Sequence, residues 1–109
     1  MKWSLRPATA ADLEDLAELR AVVMRPDLER LGRYDDHRVR QRLRDAYTPE
    51  YTRIIEVDGV LAGSITLRPA ADELWLEHFY LDPRRQGQGL GTAVLRTVLD
   101  GTDAPVRLN

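Results

Sequence analysis

Three of the seven glycines in this 109-residue chain fall within five positions, in the run Gln86-Gly87-Gln88-Gly89-Leu90-Gly91-Thr92. On the N-terminal side, Leu74 to Leu81 is apolar at nearly every position and predicts a central strand buried on both faces. Pro83 stops that strand. On the C-terminal side, Ala93 or Val94, Leu95, Val98 and Leu99 recur at helical spacing, so a helix is expected over Thr92 to Leu99, with Gly101 as its C-cap. Glycine allows a sharp turn and close approach to the backbone amides. The amides that open a helix are unpaired and carry partial positive charge, which suits a phosphate or diphosphate. Arg84 and Arg85 stand beside the turn to assist. The alternative is a helix start that needs only flexibility. Three idle glycines in the first turn would cost about 1 kcal/mol each relative to alanine.

The spacing narrows the ligand. A P-loop needs a lysine after its last glycine, and the only lysine here is Lys2. The dinucleotide fingerprint is Gly-x-Gly-x-x-Gly after a first strand, whereas this turn reads Gly-x-Gly-x-Gly after a late one. A kinase glycine loop joins two strands and opens no helix.

The rest of the chain sets the order of elements. Trp3 to Arg6 reads as a strand, and Thr9 with Asp12 as a helix cap. Leu13, Leu16, Ala17, Val23 and Met24 share one helical stripe, so a helix is expected over about 10–24, ended by Pro26. Asp35 or Asp36 caps a second helix with the stripe Val39, Leu43 and Ala46 or Tyr47, closed by Pro49. Its Arg38, Arg40, Arg42 and Arg44 lie outside that stripe and read as a solvated face before an attractant for an acidic acceptor. Thr52 to Val57 and Leu61 to Leu67 are strands joined by an Asp58-Gly59 turn, and Ala70-Ala71-Asp72 leads into the strand at Leu74. Val106 to Leu108 is a last strand, giving β-α-α-β-β-β-α-β.

Composition excludes several classes. Sixteen basic and 18 acidic residues leave a net charge of −2, which argues against a nucleic-acid binder. No apolar run suits a membrane span or a signal peptide, so a cytoplasmic protein is expected. There are no cysteines. No His, Asp or Glu cluster has metal-ligand spacing, so no metal is expected. Neither serine sits in a nucleophile elbow.

Leu81-Asp82-Pro83-Arg84-Arg85-Gln86-Gly87-Gln88-Gly89-Leu90-Gly91 resembles the acetyl-CoA signature of the GNAT superfamily of N-acetyltransferases. Gln86, Gly89 and Gly91 match its (Gln/Arg)-x-x-Gly-x-(Gly/Ala) motif, and the element order matches along essentially the whole chain. The resemblance implies an α+β fold, with a mixed, mostly antiparallel central sheet flanked by helices and acetyl-CoA as co-substrate. It assigns the CoA diphosphate to the amides of Gln86, Gly87, Gln88, Gly89, Leu90, Gly91 and Thr92, and the pantetheine arm to the backbone of Phe79, Tyr80 and Leu81. It implies direct attack of a primary amine on the thioester. A lysine-like amine has a pKa near 10.4, so freeing it at pH 7 costs roughly 4–5 kcal/mol and calls for a base.

Glu77, a carboxylate in an apolar strand, is the first candidate for that base. The alternative for Glu77 is a salt bridge to an arginine. His78 is the second candidate, on the opposite face if the strand simply alternates, with Trp75 and Phe79 on the side of Glu77. Tyr34, Tyr47 and Tyr51 read as packing. Family members commonly continue beyond this length, bring a C-terminal tyrosine as general acid, and form homodimers. The expectation is therefore a single domain over 1–109 that is incomplete at its C-terminus, of low stability and inactive alone. A non-catalytic acyl-CoA-binding or partner module is the competing reading.

Overall fold

The computed structural model describes residues 2–108. Five strands form one sheet in the order β1 (Trp3–Pro7), β2 (Thr52–Val57), β3 (Val60–Ala70), β4 (Glu73–Leu81) and β5 (Val106–Leu108). The first three pairings are antiparallel and β4–β5 is parallel. The helices are α1 (Leu13–Arg30), α2 (Asp36–Ala46) and α3 (Leu90–Asp100). The expected element order and the mixed, mostly antiparallel sheet are both present.

Side-chain alternation along the strands sorts the core into two layers. Ile55, Val57, Ile65 and Leu76 meet Leu90, Val94 and Val98 of α3 on one face. Ile54 and Tyr80 meet Leu16, Ala17 and Leu19 of α1 and Leu43 of α2 on the other. The Asp58-Gly59 turn has φ of 51° and 79°, the left-handed pair a two-residue hairpin requires.

Several expectations change. Pro26 does not end α1, which runs on to Arg30. Proline removes one backbone donor, but Val22 one turn earlier is 54% exposed, so its carbonyl has water within reach. Arg25–Glu29 and Arg30–Asp27 pairs line the last turn. The N-terminal cap is a capping box completed by Asp12 instead of glutamate; it closes a short 3₁₀ turn at Ala10–Asp12, and α1 follows from Leu13. Gly101 does sit at the C-cap of α3, but with φ of −86°, so it is not used for a left-handed turn.

Nor is β4 buried on both faces: only Leu76 and Tyr80 are buried along it. The reason lies in the pairing. β3 runs along nearly its whole length on one side. On the other side Val106, Arg107 and Leu108 of β5 pair with Leu74, Trp75 and Leu76. Beyond Leu76 that side of β4 has no neighbouring strand among the described residues.

Candidate functional site

The site forms where the end of β4 meets the start of α3. Gly87 and Gly89 have φ of 78° and 79°, and Gly89 is the N-cap of α3. A Cβ on either would meet nothing within 4 Å, so both are glycine for their backbone angle and the space above them is open. Gly91 differs. A Cβ there would lie 3.2 Å from a methyl of Leu81, so this glycine lets α3 press against the end of β4. No side chain caps the first turn of α3, so its opening amides have no side-chain acceptor. Gln86 Nε2 donates to the Leu81 carbonyl at 3.1 Å and ties the turn to the strand. Leu90, assigned to the same turn, is 1% exposed, and its side chain anchors the helix in the core. Gln88 is exposed and Thr92 is exposed too.

Arg84 is exposed at the surface beside the turn. Its guanidinium pairs with Asp82 at 2.7 Å, which raises the arginine and holds the Asp82 carboxyl below its usual range. Arg85 forms no ion pair among the described residues.

A bulge sits in the middle of β4. Ser64 faces Tyr80 but Thr66 faces Glu77, so two steps on β3 span three on β4. His78 carries the strain at φ 48°. The extra residue reverses the alternation. Leu76 faces α3 before the bulge, and Phe79 and Leu81 face α3 after it. Phe79 therefore does not share the side of Glu77, as simple alternation had implied. His78 is not opposite Glu77 either, since its ring reaches the Tyr80 hydroxyl on the α1 side.

Glu77 and His78 are both held. Arg68 donates to Glu77 Oε1 through Nε at 3.0 Å and Nη2 at 2.7 Å, and the Glu77 side chain is 11% exposed. The bond raises the Arg68 guanidinium above its ordinary value. His78 Nδ1 lies 2.9 Å from Tyr80 Oη, which also accepts Arg20 Nε–H at 3.0 Å. The Tyr80 hydroxyl thus links the Arg20 guanidinium to the His78 ring. Burial, and secondarily Arg20, push the His78 pKa down, against an opposing pull from Glu77.

A family model, the acetyltransferase (GNAT) family, matches residues 12–102. The chain belongs to the GNAT acetyltransferase family. Solved structures agree on the fold. The PaiA N-acetyltransferase of Thermoplasma acidophilum in complex with coenzyme A is 21% identical, with a TM-score of 0.70 over 92% of this chain and 71% of that one. A GNAT family acetyltransferase of Brucella melitensis in complex with acetyl-CoA is 21% identical, with a TM-score of 0.71 over 98% and 75%. The N-acetylglutamate synthase of Neisseria gonorrhoeae, complexed with coenzyme A and N-acetyl-glutamate, is 26% identical, with a TM-score of 0.64 over 93% of this chain and 22% of that one. No curated protein matches.

This GNAT chain gathers the expected residues at one place: the glycine turn packs beside the β4 end that carries Phe79, Tyr80 and Leu81. Among the described residues no group of His, Asp and Glu could hold a metal ion, and no helix is long and apolar enough to cross a membrane. Tyr47 packs as expected, and its hydroxyl donates to the Thr9 carbonyl. Tyr34 lies under the Arg25 guanidinium and Tyr51 is 41% exposed.

Sequence reasoning missed two features. Arg20 occupies the buried stripe of α1 with Leu16 and Ala17, and a charged residue on that stripe was the available signal. The bulge was also visible, because the apolar phase of β4 shifts from Leu74 and Leu76 to Phe79 and Leu81.

Proposed function

We propose that this chain transfers an acetyl group from acetyl-CoA to a primary amine by direct attack on the thioester. The observation that carries the reading is the uncapped start of α3, with positive φ at Gly87 and Gly89 and open space above both, packed beside the end of β4. A pantetheine arm is an extended chain with amide groups, and it suits the backbone of Phe79, Tyr80 and Leu81 at the end of β4, beside the glycine turn. The diphosphate suits the amides of the glycine turn, above which there is open space.

In the proposed chemistry Glu77 takes one proton from the ammonium group, directly or through a water. The freed amine nitrogen attacks the thioester carbon, and the C–N bond forms as the carbonyl π electrons move onto oxygen. Those electrons return, the C–S bond breaks, and the second nitrogen proton ends on the departing sulfur. Arg68 holds Glu77 by one oxygen and so fixes its orientation.

The same ion pair also favours the second reading, a non-catalytic acyl-CoA-binding module, because a carboxylate committed to an arginine is a weaker base. Titration calorimetry with acetyl-CoA, on the protein and on Gly89→Glu, tests the binding half. Binding by the first and not the second is expected; equal binding by both would sink the diphosphate assignment. Glu77→Gln tests the other half: it should keep acetyl-CoA affinity and lose turnover of an accepted amine. Full turnover by that variant would remove Glu77 from the mechanism.

A further inference from the structure

A cleft of about 680 Å³ opens between α1 and α2, and four arginines are among its lining residues. Arg33, Arg38 and Arg42 line its walls and Arg20 lines it from the buried side; the only carboxylate among them is Asp35. Asp35 is already engaged as the N-cap of α2, accepting the amides of His37 at 3.0 Å and Arg38 at 2.8 Å.

The arginines of α2 divide sharply. Arg40 and Arg44 pair with Glu18 and Glu14 of α1 at 2.8 and 2.7 Å. Arg38 and Arg42, one turn apart and both lining the cleft, pair with no carboxylate among the described residues. They are therefore not simply part of a neutralised face.

Arg20 is the stronger observation. It is 9% exposed, and its protein partners are neutral: the Tyr80 hydroxyl on Nε and the Val39 carbonyl on Nη1. A guanidinium withdrawn from water without a counter-charge is costly. Those two bonds leave Nη2 over. Among the described residues no buried side-chain nitrogen lacks a partner, so Nη2 reaches solvent, and the cleft is the opening that Arg20 lines. A positively charged donor thus stands at the inner end of a cleft with three further arginines along its walls.

We propose that this cleft binds a small anionic group, carboxylate or phosphate, carried by the acyl acceptor. The proposal rests on the acetyl-transfer reading and narrows it to amines that bear an anion. Tyr80 joins the two regions, with its hydroxyl on Arg20 and its backbone at the end of β4. An acceptor held by its anion at Arg20 is therefore held beside the strand assigned to the thioester. Polyamines, which would bring more positive charge, are disfavoured on the same ground.

Two measurements separate this inference from the reading beneath it. In the first, glutarate and inorganic phosphate are titrated separately into the protein without any CoA, followed by amide chemical shifts. Saturable shifts at α1 and α2 are expected, weakened about tenfold in Arg38→Gln and Arg42→Gln and unchanged in Arg53→Gln, an exposed change on β2. The stronger of the two anions identifies the source. Absence of saturable binding by both overturns the anion site. In the second, acetylation is compared for glutamate, phosphoethanolamine and the neutral glycinamide. The matching anionic amine should have a KM about tenfold lower than glycinamide, and Arg38→Gln should raise that KM with little change in kcat. An equal KM for glycinamide overturns the acceptor assignment. Anion binding with no turnover of any amine overturns acetyl transfer and leaves the anion site standing.

Discussion

Arg20 of α1 donates its Nε–H to the Tyr80 hydroxyl of β4 over 3.0 Å, across 60 residues of sequence. Both side chains are buried. Tyr80→Phe removes the acceptor and leaves a buried, charged donor with one fewer partner. We expect a loss of about 2 kcal/mol, read from urea unfolding. A loss below about 0.5 kcal/mol would mean that water replaces the phenol without cost.

His78 gives a pH signature. Its folded-state pKa lies below the ordinary 6.5, because burial disfavours the imidazolium. Between the folded value and 6.5 the unfolded chain binds the extra proton, so stability rises with pH through that window and is lost as pH falls below 6.5. His78→Asn tolerates a positive φ and does not titrate. Its stability should vary less between about pH 7 and 5 than that of the parent, as seen in thermal melts over that range. An unchanged slope would place the titration elsewhere.

The glycines of the turn should separate by mechanism. Gly89→Ala places a Cβ in open space but demands φ of 79°, and should cost about 1–2 kcal/mol. Gly91→Ala sits within the helix and meets only the flexible end of Leu81 at 3.2 Å. The gain in helix propensity, about 1 kcal/mol, should offset that crowding and leave stability nearly unchanged. Melting both variants side by side checks the contrast; equal losses would refute it.

Gly63 is the most constrained glycine. A Cβ there would lie 2.1 Å from the Tyr80 carbonyl oxygen, a backbone atom. Gly63→Ala must push β3 from β4 just where β4 carries the site. We expect roughly 3 kcal/mol of destabilisation and weaker acetyl-CoA binding in calorimetry. A variant as stable as the parent would show that the two strands can part there freely.

Most of the architecture was legible because it rests on local rules. Hydrophobic period separated helices from strands, Asp58-Gly59 marked a hairpin, and Asp35 or Asp36 marked a helix start; all three hold in the fold, where Asp35 is the cap. The glycine turn was legible for the same reason, since the need for positive φ at Gly87 and Gly89 is a property of those positions. Pro26 misled because the cost of an interior proline depends on whether the freed carbonyl meets water, and that depends on which face of α1 is exposed.

By itself the sequence determined the order of elements, the strand–turn–helix that carries the family signature, and the small set of residues around it. Tertiary structure alone decided which of them meet. Register with β3 placed the extra residue at His78 and turned Phe79 toward α3. The Arg68–Glu77 pair depends on the antiparallel β3–β4 pairing. Arg20 reaches Tyr80 only because α1 packs over β4. Each of these is a contact between elements whose relative placement minimises exposed apolar surface over the whole domain, and no local window of sequence contains that balance.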